Sequence, residues 1–231
     1  MGVMSSASAV LEFASKYPVK KCLKGELILV EGEAPNCAYV IKRGIVKGYA
    51  LTADGVEKPI SFDTVGELFP IGWVFSKIKW SQYYYGAFSD CELYCVPRQD
   101  YIDFVQSNPQ LNFQIYRDFI DSYLYFQMRV NALEQSKAID KIIHTLHYLA
   151  LRFGREIKAD TVQITIPLTQ QELANIMGLT RETTGLELNR LIKQGIIKQD
   201  RRKQFIVFTD RLNEALDIDY GLGRIDKTTK L

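Results

Sequence analysis

Residues 168–197, LTQQELANIMGLTRETTGLELNRLIKQGII, decide how this chain is read. Thr169 with Glu172 three positions on is a capping box, in which hydroxyl and carboxylate each satisfy an orphan amide at a helix start. Leu173, Ala174, Ile176 and Met177 then form a short apolar face. Gly178 falls where that helix must stop and the chain must turn. Thr180 caps a second helix with an inner face of Leu188, Leu191 and Ile192. Arg181, Glu182, Thr183 and Thr184 crowd its N-terminal end, and Gly195 closes it. The spacing predicts a helix-turn-helix, whose second helix points its N-terminal end into the DNA major groove. A helical hairpin in an enzyme has the same pattern, so the flanks must decide.

The downstream flank is KQDRRKQFIVFTD, residues 198–210. Phe205, Val207 and Thr209 alternate with Ile206 and Phe208 as in a strand. Ahead of them lies a cationic tip of Lys198, Arg201, Arg202 and Lys203. A hairpin of this kind beside a recognition helix predicts a wing whose cations meet phosphates, not bases.

The 231 residues have room for two modest domains. Net charge is only +2, but its distribution is uneven. Residues 1–136 carry 13 basic and 15 acidic side chains, and the remainder carries 16 and 12. The positive bias falls on the half with the helix-turn-helix, as steering toward DNA requires. No apolar run is long enough for a membrane span, and no signal-peptide pattern opens the chain. A cytoplasmic protein without a membrane partner is expected, with Cys22, Cys37, Cys91 and Cys95 as reduced thiols. Cys91 and Cys95 would lie about 13 Å apart along one strand, too far for a bond between them.

From Lys24 to Val96 the texture is all-β. Strands are predicted at 26–31, 37–42, 45–51, 58–62, 83–88 and 91–96, with a hairpin turn at Ala53-Asp54-Gly55. So many short strands at even spacing suggest a small barrel or jelly roll. From Pro109 to Ser136 a helical pattern follows. Tyr116, Tyr123 and Val130 recur every seven residues, as do Phe119, Phe126 and Leu133, which makes an a/d seam over about three heptads.

Residues 24–62, KGELILVEGEAPNCAYVIKRGIVKGYALTADGVEKPISF, resemble the front half of a cyclic-nucleotide-binding β-roll. Taken with residues 168–197, the chain resembles the CRP/FNR family of bacterial transcription regulators over nearly its whole length. The resemblance implies an α+β architecture: an N-terminal double-stranded β-helix (jelly-roll) effector domain over 1–108, a long dimerisation helix over 109–136, and a C-terminal winged helix-turn-helix over 137–231. It implies a parallel homodimer through Tyr116, Phe119, Tyr123, Phe126, Val130 and Leu133, a palindromic operator in double-stranded DNA, and RNA polymerase as a partner. DNA contacts are expected from Thr169, Gln170, Thr180, Arg181, Glu182, Thr183, Gly185, Leu186 and Asn189, and from Arg201, Arg202 and Lys203 of the wing. Arg181 can reach guanine, and Glu182 can accept from cytosine N4. Leu186 stands where the family usually places a second arginine, so the operator is expected to differ at that base.

Val65-Gly66-Glu67-Leu68 matches the start of the family's nucleotide cassette. The phosphate-binding arginine is absent: residues 81–88 read SQYYYGAF, and no arginine lies between Arg43 and Arg98. A buried phosphate there loses its bidentate partner, and Pro70 is expected to disturb the cassette helix. cAMP is therefore disfavoured and no cofactor is assigned. Gly66, Glu67, Leu68, Trp73, Tyr83, Tyr84, Tyr85 and Tyr123 form the candidate pocket for an unknown apolar or aromatic effector. The alternatives are that these aromatics simply fill the roll, or that the family member responds to a cyclic nucleotide or to thiol redox. Only Cys22 lies near the N-terminus, which argues against an iron–sulfur cluster. His144 and His147 are spaced i, i+3 but lack a third ligand, so no metal is assigned.

No enzyme is expected. The barrel segment holds no histidine for a metal dioxygenase, and no nucleophile elbow, P-loop or dinucleotide fingerprint is present. A regulatory module controlling a protein partner is the rival of a different class. It would need neither the capped recognition helix nor the basic wing.

Overall fold

A computed structural model describes residues 5–200 and 204–216. It forms two compact units that divide inside one long helix, at Phe119 and Ile120.

The first unit runs α1 (Ser6–Ala14), β1 (Val19–Cys22), β2 (Leu27–Leu29), β3 (Ala38–Arg43), β4 (Val46–Leu51), β5 (Glu57–Asp63), β6 (Leu68–Phe69), α2 (Ile71–Val74), β7 (Tyr84–Ala87), β8 (Cys91–Val96) and α3 (Arg98–Gln106), then enters α4 (Pro109–Glu134). Its strands make two antiparallel four-stranded sheets, ordered β1-β8-β3-β6 and β2-β7-β4-β5. Both contribute to one core of Cys22, Ile28, Tyr39, Ile41, Val46, Phe69, Ala87, Cys91 and Leu93.

The near-continuous apolar runs of β3 and β8 have a physical reason. Successive strand residues point to opposite faces. Tyr39, Ile41, Cys91 and Leu93 face the other sheet. Ala38, Val40, Tyr94 and Val96 join a second cluster with Val10 and Ala14 of α1 and Tyr101 and Val105 of α3. Buried on both faces, these strands cannot alternate with polar residues. Helix α1, not anticipated from the sequence, is what covers the outer face. Ser5 caps it through the Ser8 amide, and Ser6 hydrogen-bonds Asp118.

The second unit holds the rest of α4, then α5 (Ala138–Phe153), β9 (Gly154–Lys158), β10 (Thr161–Ile164), α6 (Gln170–Met177), α7 (Arg181–Lys193), β11 (Ile197–Gln199), β12 (Phe205–Phe208) and α8 (Thr209–Ala215). Helix α5 is buried almost all round, from Ile142 to Phe153, because α6, α7, α8, β9 and β10 all pack on it. The wing is the edge of a four-stranded sheet ordered β11-β12-β10-β9, not an isolated hairpin.

Three expectations are corrected. Cys37 and Cys95 are joined in a disulfide across a Cα–Cα distance of 5.5 Å, so not all four thiols are reduced. Tyr39 pairs with Cys95 in the β3–β8 ladder, and this brings the neighbouring Cys37 within reach. Cys22 and Cys91 are free and buried. Pro70 does not disturb the short helix but stands at the N-cap of α2, where a missing N–H costs nothing. The long helix ends at Glu134, two residues before the expected limit.

Leu93 is fully buried between the sheets, whereas Leu23 is 73% exposed. Leu93→Ala should cost about 2–5 kcal/mol through lost burial and a residual cavity. Leu23→Ala should stay within about 0.5 kcal/mol of the parent. Urea unfolding of both variants checks the contrast.

Candidate nucleic-acid interface

The helix-turn-helix is built as its caps demand. The Glu172 amide donates to Thr169 Oγ1 at 3.1 Å, and the Thr169 amide donates to Glu172 Oε2 at 2.7 Å, so the capping box is complete. Gly178 ends α6 at φ +67, in the left-handed region that a side chain would disfavour. The Thr183 amide then donates to Thr180 Oγ1 at 3.1 Å and starts α7.

The rotation of α7 is set by Thr184, Leu188 and Leu191, its buried residues at i, i+4 and i+7. Thr184 therefore does not belong to the exposed end: it is fully buried and its hydroxyl donates to the Thr180 carbonyl at 2.9 Å. Ile192, expected inside, lies on the flank and is 37% exposed. Arg181, Glu182, Leu186, Asn189 and Arg190 face solvent, and Thr183 and Gly185 are half-buried. Glu182, Leu186 and Asn189 repeat the i, i+4, i+7 spacing on the outer side, which makes them one continuous stripe. Leu186 is 71% exposed, an unusual setting for a leucine in the middle of a helix. Thr169 is exposed and Gln170 half-buried beside this stripe. A Cβ at Gly185 would sit 3.5 Å from Gln170 Oε1, so α6 and α7 approach closely there.

The described part of the wing is braced by a residue the sequence did not single out. Gln163 of β10, nearly buried, donates to Asp200 Oδ2 at 3.1 Å and to Gln204 Oε1 at 2.9 Å, and accepts from Arg155 Nη2 at 3.0 Å. Asp200 also takes the Gln204 amide at 2.9 Å. The base of the wing is thus pinned to the middle of its sheet. The only sequence signal was one glutamine inside the apolar run Val162–Ile166. Lys198 is exposed on β11, while Arg201, Arg202 and Lys203 lie outside the described residues.

A family model described as a Crp-like helix-turn-helix domain matches residues 140–214, and one described as a cyclic nucleotide-binding domain matches residues 19–108. The chain belongs to the CRP/FNR family of transcription regulators. Electron transport regulator A of Shewanella oneidensis is 26% identical over 212 residues, covering 91% of this chain and 80% of that protein. The HTH-type transcriptional regulator ArcR of Staphylococcus haemolyticus is 27% identical over 191 residues, covering 79% and 82%. A solved CooA mutant from Carboxydothermus hydrogenoformans shares the fold at a TM-score of 0.74 and 16% identity, covering 94% of this chain and 97% of that one. This protein is therefore a CRP/FNR-type regulator with a DNA-binding helix-turn-helix.

Within the first unit of this CRP/FNR protein, the residues marked out for an effector do not gather in one place. Gly66 turns at φ +85, and a Cβ there would meet the Ala7 Cβ of α1 at 2.6 Å. The Glu67 carboxylate accepts from the Thr64 amide at 2.6 Å and from its hydroxyl at 3.3 Å. Leu68 and Trp73 pack into the outer cluster with α1 and α3, and the Arg98 guanidinium lies 5.3 Å over the Trp73 ring. Tyr84 stacks on Tyr49 at 5.5 Å, and the Tyr83 carbonyl accepts from Ser81. Tyr85 points into the roll, where it stacks on Phe69 at 4.9 Å and Phe69 stacks on Tyr39 at 5.2 Å. Burial pushes the Tyr85 hydroxyl far up. Tyr123 is exposed on α4. These residues do not fit a cyclic nucleotide: Glu67 is already held by its own loop, and residues 44–97 hold no guanidinium for the phosphate.

The seam of α4 lies open. Tyr116, Phe119, Tyr123, Phe126, Val130 and Leu133 are 36–58% exposed, and Phe113, Ile120 and Leu124 widen the stripe.

Gly185 gives a test of the α6–α7 contact. Gly185→Ala removes a poor helix former, and its Cβ meets Gln170 at ordinary contact distance. The variant should be about 0.5–1 kcal/mol more stable, read from thermal unfolding. A destabilised variant would mean the helices are closer than described.

Proposed function

We propose that this protein acts as a cytoplasmic homodimer that binds a palindromic operator in double-stranded DNA, with one α7 in each of two successive major grooves. RNA polymerase is the partner through which such a bound dimer would act. The observation that carries the reading is the coexistence, in one chain, of an exposed polar stripe on a capped α7 and an open aromatic seam on α4. A seam of this size exposed to water is costly, and pairing with a second copy would cover it. Two-fold symmetry would then set two recognition helices one helical turn apart.

Arg181 and Glu182 are the base readers, on guanine and on cytosine N4. Thr180 and Thr183 sit at the helix N-terminus where a phosphate is well placed. Leu186 offers a methyl contact to thymine in place of a guanidinium. Asn189 continues this stripe, Gln170 flanks it, and the cationic wing adds phosphate contacts. The roll is read as filled by its Tyr39–Phe69–Tyr85 column, so the protein needs no nucleotide to bind DNA.

A second reading rests on the Cys37–Cys95 disulfide. It makes the roll a thiol-redox input, since such a bond responds to the surrounding poise.

Selection of sites from a random duplex pool by purified protein tests the proposal. The expected product is a palindrome with half-sites about 34–36 Å apart. Glu182→Ala should relax one base pair per half-site, losing about 1–3 kcal/mol of discrimination there. Unchanged base preference would remove Glu182 from the reading face. Repeating the selection with a dithiol reductant separates the two readings: the same palindrome leaves the disulfide structural, and its loss makes the bond a switch.

Phe126→Asp places a charge in the proposed seam. It should weaken dimerisation on the order of 100-fold, seen as a monomer in sedimentation. An undisturbed dimer would mean the copies meet elsewhere.

A further inference from the structure

A second cysteine pair lies in the first unit, apart from the disulfide and from the DNA-reading helix. Cys22 and Cys91 are directly opposed in the antiparallel β1–β8 ladder. Opposed residues of such a ladder share one face, with Cβ atoms about 4.5–5.5 Å apart. Both thiols are free and only 3% exposed. A cleft of about 160 Å³ is lined by both cysteines.

The walls of that cleft carry Lys21, Arg43, Asp90 and Glu92. The two acids are engaged: Asp90 Oδ1 accepts the Lys24 amide at 2.9 Å, and Glu92 is paired to Lys42 at 2.8 Å. Lys21 and Arg43 line the same cleft and act on Glu92. Cys91 Sγ donates toward the Ile45 and Ser89 carbonyls, which orients its sulfur. Burial pushes both thiols up from their ordinary value.

We propose that the Cys22–Cys91 pair binds one soft d¹⁰ cation, of the Cu(I) or Ag(I) class, in two-coordinate thiolate geometry. Soft thiolate ligands select such ions. No group of three or more His, Cys, Asp or Glu side chains among the described residues is placed to hold a metal, so an ion that needs four ligands has no site here. On binding, two S–H bonds break, two metal–sulfur bonds form, and two protons leave to solvent. The resulting bis-thiolate complex carries one negative charge, which Lys20, the cation that acts on Cys22, offsets. No electron is transferred.

Ag(I) is the probe, because it needs no reductant and leaves the Cys37–Cys95 bond in place. The full chain, with that disulfide confirmed by peptide mass, is titrated in competition with a chromophoric chelator in weak buffer. One Ag(I) per chain should bind, releasing about two protons each, while Zn(II) should not compete. Cys22→Ala and Cys91→Ala should each lower the affinity by more than about 100-fold, with circular dichroism confirming the fold. X-ray absorption of the parent protein should show two sulfur neighbours, which tests the site even if a variant unfolds. Absence of binding, proton release near zero, retained affinity in either folded variant, or a Cys22–Cys91 disulfide in the purified chain would overturn the assignment.

Discussion

The DNA-binding unit depends on how α7 is rotated against its core. Thr184, Leu188 and Leu191 are buried, and α7 packs on α5 and α6. Once those three positions are inside, the 3.6-residue period leaves Glu182, Leu186 and Asn189 outside with no further choice. A slip of one residue would turn the reading face by about 100°. The caps at Thr169 and Thr180 and the left-handed turn at Gly178 prevent that slip by fixing where each helix begins and ends. The exposed stripe of α7 therefore owes its direction to residues buried on the other side of the helix.

Much of this was legible in the sequence, because caps and turn residues act locally. Thr169, Glu172, Gly178 and Thr180 do their work within a few residues, so their spacing alone places them correctly. Strand β8 was placed at Cys91–Val96 for a similar reason, being bounded by polar residues and a proline. What failed depended on which way a side chain turns, or on partners distant in sequence. Thr184 looks like a surface threonine until its hydroxyl is seen to turn back on the Thr180 carbonyl. Ile192 looks like core until Thr184 is seen to define the buried line. Helix α1 escaped notice because its apolar face is short and makes sense only against β3 and β8. The Cys37–Cys95 bond joins residues 58 apart in sequence, and pairing of that kind follows from strand register, not from local pattern.

The candidate effector residues divide along the same principle. Sequence can show that seven aromatics lie from Phe69 to Tyr85 inclusive, but not which face of a strand or helix each one takes. In the fold, Phe69 and Tyr85 turn inward and join Tyr39, while Trp73 turns outward beneath Arg98. On the proposed reading, side chains take the place of a ligand in this roll. The stacked column of Tyr39, Phe69 and Tyr85 would then contribute to the stability of the roll.

The disulfide has one further consequence, for the unfolded chain. It spans 58 residues and so ties most of the roll into a ring. In the chain-entropy picture, closing a ring of that size removes roughly 4 kcal/mol of disorder from the denatured ensemble. That is comparable to the whole margin by which many domains stay folded. Reduction of the bond would return that disorder to the denatured chain, and the roll would lose a matching share of its stability.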